Sequence, residues 1–290
     1  MDLTVAVYSD FYTEYTLEET VETFAAVGFR ATELSLVHLE KLLERGDPKT
    51  VGESVKRFLD EKNFTIPQGH LSFGKGLCDP ASLEDNKREL ELFAALGIKN
   101  AVLHFNGGKE LPAQERMARR LERVGLLRDY AKELGVTICL ENLGSVPETH
   151  TVQQLLGIID ALGDDNLGIC LDTGHLHLTN GRGETQQSHR EFILGAGKYL
   201  RAMHITENNG KNDVHQMPYS ARTGINWQEV VAALGEIGYD GLFNLEILGE
   251  RVAPLPIREA KLGFIRNMCQ YMLSEEFLKD GFDYPPYDMR

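Results

Sequence analysis

The chain has 290 residues, with 44 acidic against 30 basic side chains, a formal net charge of −14 and 42% apolar residues. That length suits one large domain or two small ones and the apolar share allows a sizeable core, while the charge disfavours non-specific attraction to nucleic acid or anionic membrane. Cys78, Cys139, Cys170 and Cys269 form no CxxC pair, and Cys139 and Cys170 sit in apolar runs as small core residues. The opening MDLTVAVYSD lacks a basic, then apolar, leader, and no apolar run nears the roughly 18 residues of a membrane span, so a cytoplasmic protein is expected.

Short β-rich apolar runs alternate with longer stretches of helical period. The strands read, in chain order, as 3–8, 31–36, 64–71, 100–105, 136–142, 167–173, 200–206 and 241–247. Most are near-continuous apolar runs, as parallel strands covered on both faces require. Between them, 16–27 opens with a capping box from Thr16 to Glu19, and 81–96, 113–134, 226–237 and 256–273 carry apolar residues three and four apart. Gly28, Gly97, Gly135, Gly163 and Gly238 stand where a helix gives way to the next strand, the position at which a left-handed backbone costs glycine least. Strands alternating with helices predict right-handed βαβ units, and eight of them predict a single (β/α)8 TIM barrel over 1–274. A doubly wound open sheet is the other topology such alternation allows. The aromatic and proline-rich tail, 275–290, is expected to pack on the barrel or on a partner subunit of a homo-oligomer.

Six of the eight apolar runs finish on an acid/base or metal-binding side chain: His70, His104, Glu141, Asp172, His204 and Glu246. They recur about once per βα unit, and the C-terminal strand ends of a barrel share one mouth, so all six are predicted to line one pocket. Clustered carboxylates repel, and desolvating them is costly unless a cation offsets the charge. Glu141, Asp172, His204 and Glu246 are therefore predicted to hold a divalent metal. Three carboxylates and one imidazole suit Mn²⁺ or Mg²⁺, with Zn²⁺ or Co²⁺ as further options. His175 follows Asp172 by three residues. Asp213 and His215 share a face of the loop beyond His204, and together with His70, His104 and His175 they are candidate substrate contacts. Lys211, Arg222 and Arg251 lie in the loops after strands seven and eight, where barrels often bind phosphate; Arg222 and Arg251 are candidate clamps for a charged group, unless they pair with neighbours such as Glu207 and Glu250. His38, His150, His177 and His189 read as surface or supporting residues.

CLEN at 139–142, CLDTGH at 170–175, MHIT at 203–206, NDVH at 212–215 and NLEI at 244–247 resemble the xylose isomerase-like TIM-barrel superfamily. Within it they look most like the sugar phosphate isomerase/epimerase group, which includes the ketose 3-epimerases. That resemblance implies one divalent ion on Glu141, Asp172, His204 and Glu246, the two glutamates as a proton-transferring pair, and substrate contact by His175. It implies a sugar or sugar phosphate as substrate and proton transfer through a metal-bound cis-enediolate, giving epimerisation or aldose–ketose isomerisation. No arginine lies between His204 and His215, where ketose 3-epimerases usually carry one. A second resemblance is to endonuclease IV-type apurinic endonucleases, which bind three zinc ions. Their ligand types are matched by His70, His104, Glu141, Asp172, His175, His204, Asp213, His215 and Glu246. A sugar dehydratase or lyase using the same enediolate chemistry is a third alternative. Neither nucleic acid nor membrane is an expected partner of the sugar-active reading.

Overall fold

The computed structural model of the protein describes residues 2–163, 166–221 and 224–279. The strands are β1 (Thr4–Tyr8), β2 (Ala31–Leu34), β3 (Thr65–His70), β4 (Asn100–Leu103), β5 (Thr137–Glu141), β6 (Leu167–Asp172), β7 (Leu200–His204) and β8 (Leu242–Leu245). All pair in parallel in the order β7-β6-β5-β4-β3-β2-β1-β8. The ring closes just beyond β7, where Ile205 bridges Leu245 and donates its N–H to Asn244 at 2.7 Å. The (β/α)8 barrel predicted from the alternation is the observed architecture, and the open sheet is not.

The helices are α1 (Leu17–Val27), α2 (Leu36–Leu43), α3 (Pro48–Glu61), α4 (Pro80–Leu96), α5 (Ala113–Glu133), α6 (Val152–Leu162), α7 (Thr173–Gly181), α8 (His189–Ala196), α9 (Trp227–Ile237), α10 (Leu255–Met272) and α11 (Glu275–Lys279). The Thr16–Glu19 capping box starts α1 as read from the sequence, and Gly28, Gly97 and Gly238 close α1, α4 and α9 in the left-handed region. Gly163 also has a positive φ, but its ψ of 140° is extended, so α6 ends without a left-handed cap. The second run stops at Leu34, because Ser35 turns out of the strand to cap α2 with its hydroxyl on the His38 N–H. Of the tail, the described part forms α11, which seats Phe277 against the barrel and accepts the Gln228 side-chain N–H on its carbonyl at 2.7 Å; residues 280–290 lie outside the described residues. No described helix is long and apolar enough to cross a membrane.

The four histidines read as surface or supporting residues are all buried. His38 sits between Ser9 Oγ (3.0 Å), Ser35 Oγ (3.1 Å) and the Tyr15 carbonyl (3.3 Å), and His189 donates Nε2–H to the Thr173 carbonyl at 2.8 Å. Burial holds both imidazoles down to about 4. Below the ordinary value near 6.5 the unfolded chain therefore binds protons that the folded chain refuses. Their contribution is complete above pH ~6.5 and is lost as pH falls towards 4, at about 1.4 kcal/mol per pH unit for each imidazole. The urea midpoint is expected to fall over this window. A His38→Asn variant, less stable at pH 7.5, should lose stability more shallowly on acidification; an unchanged slope would show that His38 does not carry the effect.

Candidate active site

β3, β5, β6 and β7 end on His70, Glu141, Asp172 and His204, while His104 and Glu246 lie one residue beyond β4 and β8. All six stand at the C-terminal mouth. A cavity of about 550 Å³ there is lined by His70, His104, Glu141, His175, Asp213, His215 and Glu246, with Phe73, Leu143, Ile247 and Leu248 as apolar walls. Asp172 and His204 lie beneath, fully buried. The Phe73 ring stacks on His104 with 4.0 Å between centroids, fixing that imidazole's tilt.

Among the described residues, donor atoms converge in three groups, each within 4.8 Å: Glu141, Asp172, His204 and Glu246; His70, His104 and Glu141; and His175, Asp213 and His215. The sequence-predicted metal ligands form the first group, and Glu141 belongs to two. Local chemistry presets each member. Asp172 is both the last residue of β6 and the N-cap of α7: its Oδ1 accepts the His175 N–H at 2.6 Å, which leaves Oδ2 without a partner. Asn142 pairs both ways with the Asp172 backbone, at 2.7 and 2.9 Å, and so prolongs the β5–β6 ladder past Glu141. A Cβ on Gly174 would stand 2.8 Å from Thr206 Cγ2, so only glycine lets α7 start this close to β7.

The tautomers follow from acceptors that can only accept. Backbone carbonyls of Leu71, Asn142 and Glu246 take the Nδ1–H of His70 (2.8 Å), His175 (3.0 Å) and His215 (3.1 Å), and a carboxylate, Glu33, faces His204 Nε2 at 3.1 Å. The opposite nitrogens then point into the three groups, where they meet carboxylates or one another. His70 Nε2 and His104 Nε2 face each other at 3.1 Å, and His104 Nε2 lies 2.8 Å from Glu141 Oε2. His204 Nδ1 lies 3.3 Å from both Glu141 Oε1 and Glu246 Oε2.

Electrostatics sort the carboxyls. Burial, reinforced by Glu246 and Glu141 against the pull of His175, pushes Asp172 up to about 7. Burial would raise Glu141 too, but the imidazoles of His104 and His204 outweigh it and hold the carboxyl well below its usual range. Burial opposes protonation of His215, yet Glu246, Asp213 and Asp172 carry it up to about 10. Asp172 Oδ2 and Glu246 Oε2 are buried without a hydrogen-bond partner, while Glu141 Oε2 has the His104 imidazole at 2.8 Å. Buried anionic oxygens without donors fit a cation among Glu141, Asp172, His204 and Glu246.

The loop cations fare differently. Arg222 lies outside the described residues. Arg251 is exposed and absent from the cavity lining, although its charge reaches Asp10, which does line it. Of the suggested acidic neighbours, Glu207 accepts the Ser220 and Ile225 N–H groups at 2.9 and 3.0 Å, and Glu250 pairs with Lys261. Sequence reasoning missed Tyr8, Asp10, Phe73, Asn106 and Arg182 in the lining and Glu33 beneath it. Arg182, at the end of α7, is held by the carbonyls of Gly144 (3.5 Å) and Lys211 (3.2 Å), and it also borders an adjoining cavity of about 600 Å³.

The profile of the family described as Xylose isomerase-like TIM barrel matches residues 21–268. Over 125 residues the chain is 32% identical to the uncharacterized protein MJ1311 of Methanocaldococcus jannaschii, covering 41% of this chain and 39% of that protein. It is 29% identical over 154 residues to a protein named Ketose 3-epimerase from Arthrobacter globiformis (52% of this chain, 48% of that one) and 23% identical over 205 residues to one named Inosose isomerase from Bacillus velezensis (69% and 71%). The chain thus spans half or less of the first two. Among solved structures, a D-psicose 3-epimerase in the presence of D-fructose superposes with a TM-score of 0.75 at 18% identity, over 93% of this chain and 99% of that one. An L-ribulose 3-epimerase does so with 0.75 at 18%, over 95% of each. At such identities these structures show the shared fold.

Proposed function

The chain belongs to the xylose isomerase-like TIM barrel family, and from that premise we propose that it is a divalent-metal-dependent isomerase or epimerase of a small sugar or sugar phosphate. The observation that carries this reading is the set Glu141, Asp172, His204 and Glu246, three carboxyls of which two keep a buried, unpartnered oxygen, at a cavity that opens at the barrel mouth. The relatives named for ketose and inosose substrates support the same reaction class.

The ion would supply Lewis-acid polarisation of a hydroxy-carbonyl group. Glu141 and Glu246 are the proton-transferring pair. They stand on strands separated by β6 and β7, so they reach a substrate between them from different sides. One removes the proton α to the carbonyl to give an enediolate. Return of a proton by the other, on the opposite face, gives epimerisation, and return at the neighbouring carbon gives isomerisation. His175 and His215 face the cavity for substrate hydroxyls, and Phe73, Leu143 and Ile247 exclude water. The test is solvent deuterium uptake by a panel of ketoses, aldoses, inososes and their phosphates with Mn²⁺-loaded protein. Uptake at a carbon next to a carbonyl is expected; none across the panel would defeat the reading.

The two flanking ligand groups favour one further reading, a three-metal phosphodiesterase. Charge opposes it. Of the basic residues on α5, Arg116 pairs with Glu148 at 3.2 Å, Arg119 with Glu115 at 2.7 Å, and Arg120 is buried on the Gly107 carbonyl. Little is left to grip a phosphate backbone. No incision of an abasic-site duplex is expected at physiological salt; incision lost in His104→Ala would promote this reading.

Substrate charge is read by Arg182, the one arginine or lysine lining the cavity among the described residues. Arg182→Ala is expected to raise KM for a phosphorylated or carboxylated sugar by 10-fold or more, about 1.4 kcal/mol, with little change for a neutral analogue; Arg251→Ala should have the smaller effect. Unchanged kinetics in both variants would point to a neutral sugar.

A further inference from the structure

Glu33 is fully buried in the middle of β2, inside the barrel. A carboxylate in that layer costs desolvation that a leucine would not. Its oxygens are saturated from three other strands. Gln68 on β3 donates Nε2–H at 2.8 Å, Asn244 on β8 donates Nδ2–H at 2.5 Å, and His204 on β7 presents Nε2 at 3.1 and 3.2 Å. The two amides pin the carboxylate, and they leave it one directional task. His204 Nδ1 faces Glu141 and Glu246 at 3.3 Å; because Glu33 can only accept, the His204 proton would lie on Nε2 and leave Nδ1 bare once an ion sits among Glu141, Asp172 and Glu246.

We infer that Glu33 is the positioning residue of the metal centre, a carboxylate that sets the tautomer and ring orientation of His204 and so its basicity as a ligand. This rests on the metal-dependent reading above. Glu33 touches neither substrate nor ion; it acts through the imidazole, and the anion beneath the ring also offsets the charge of a cation above it. No other side chain among the described residues accepts from His204 Nε2.

The test compares wild type, Glu33→Gln and Glu33→Leu, each stripped of metal and titrated calorimetrically with Co²⁺, with the visible absorption of the bound ion as second readout. Loss of Co²⁺ affinity by about 10–100-fold and an altered spectrum are expected in both variants, while Glu33→Leu melts no lower than Glu33→Gln. Variants that bind Co²⁺ like wild type with an unchanged spectrum would overturn the inference, as would a variant whose only defect is a lowered melting temperature. If neither variant folds, long-range ¹H–¹⁵N spectra of Zn²⁺-loaded wild type decide: the His204 proton on Nε2 supports the role and a proton on Nδ1 overturns it. Wild type that takes up no divalent ion refutes the functional reading itself, whatever the variants do.

Discussion

Glu246→Gln is expected to leave the protein folded and to lower turnover by about 10²–10⁴-fold, and Glu141→Gln to do at least as much while also weakening metal retention. Both side chains end strands at one mouth, but their settings differ. Glu141 is enclosed: Oε1 lies 3.3 Å from both His204 Nδ1 and His175 Nδ1, and Oε2 lies 2.8 Å from His104 Nε2. Removing its charge strips a partner from three imidazoles at once. Glu246 is the more open of the two, with its side chain 14% exposed, so its substitution disturbs fewer neighbours. Glutamine keeps the shape of each and abolishes proton transfer. The measurement is solvent deuterium incorporation at saturating Mn²⁺, which separates loss of the base from loss of the ion. A glutamine variant within 10-fold of wild type at saturating metal would remove that glutamate from the proton-transferring pair.

The barrel and its polar mouth could be read from the sequence because both depend on period. A strand covered on two faces must be apolar throughout, so a charged or imidazole side chain at its end stands out, and the recurrence of such ends once per βα unit pointed to one pocket. Glu33 carried the same signal, a lone carboxylate in the run ATELSL, but it sits before the strand end and its partners, Gln68, His204 and Asn244, meet it only across the closed barrel. α2 and α3 were missed although Asp47 and Pro48 form a clear start signal, with Asp47 capping the Thr50 N–H at 2.9 Å and Pro48 in the first turn. α7 was hidden by the motif it contains, since Asp172 serves as ligand candidate and helix cap at once. Arg182 offered no signal at all. It becomes a cavity residue because α7 ends beside the loops carrying Gly144 and Lys211, a contact set by tertiary packing.

Metal-stripped protein is expected to lose essentially all activity and to regain it with a single equivalent of Mn²⁺, taken by Glu141, Asp172, His204 and Glu246. The three ligand groups differ in what they lack. In the four-residue group Asp172 Oδ2 and Glu246 Oε2 have no hydrogen-bond partner, and one imidazole cannot serve three carboxylates. In the group His175, Asp213 and His215 the carboxylate is already served: Asp213 Oδ2 lies 3.1 Å from His175 Nε2 and Oδ1 lies 3.5 Å from His215 Nε2. That group is also nearer solvent, so its charges are screened and its need for an ion is smaller. The group His70, His104 and Glu141 borrows its only carboxylate from the four-residue set. Uncompensated buried charge therefore draws the first ion to one place. His204→Asn should abolish tight binding and activity together, whereas Asp213→Asn should keep one tightly held ion and lose activity only in part. Elemental analysis after dialysis reads the count. One ion in wild type and Asp213→Asn, and none in His204→Asn, is the expected pattern; three tightly held ions in wild type, falling to two in Asp213→Asn, would instead favour the three-metal phosphodiesterase reading.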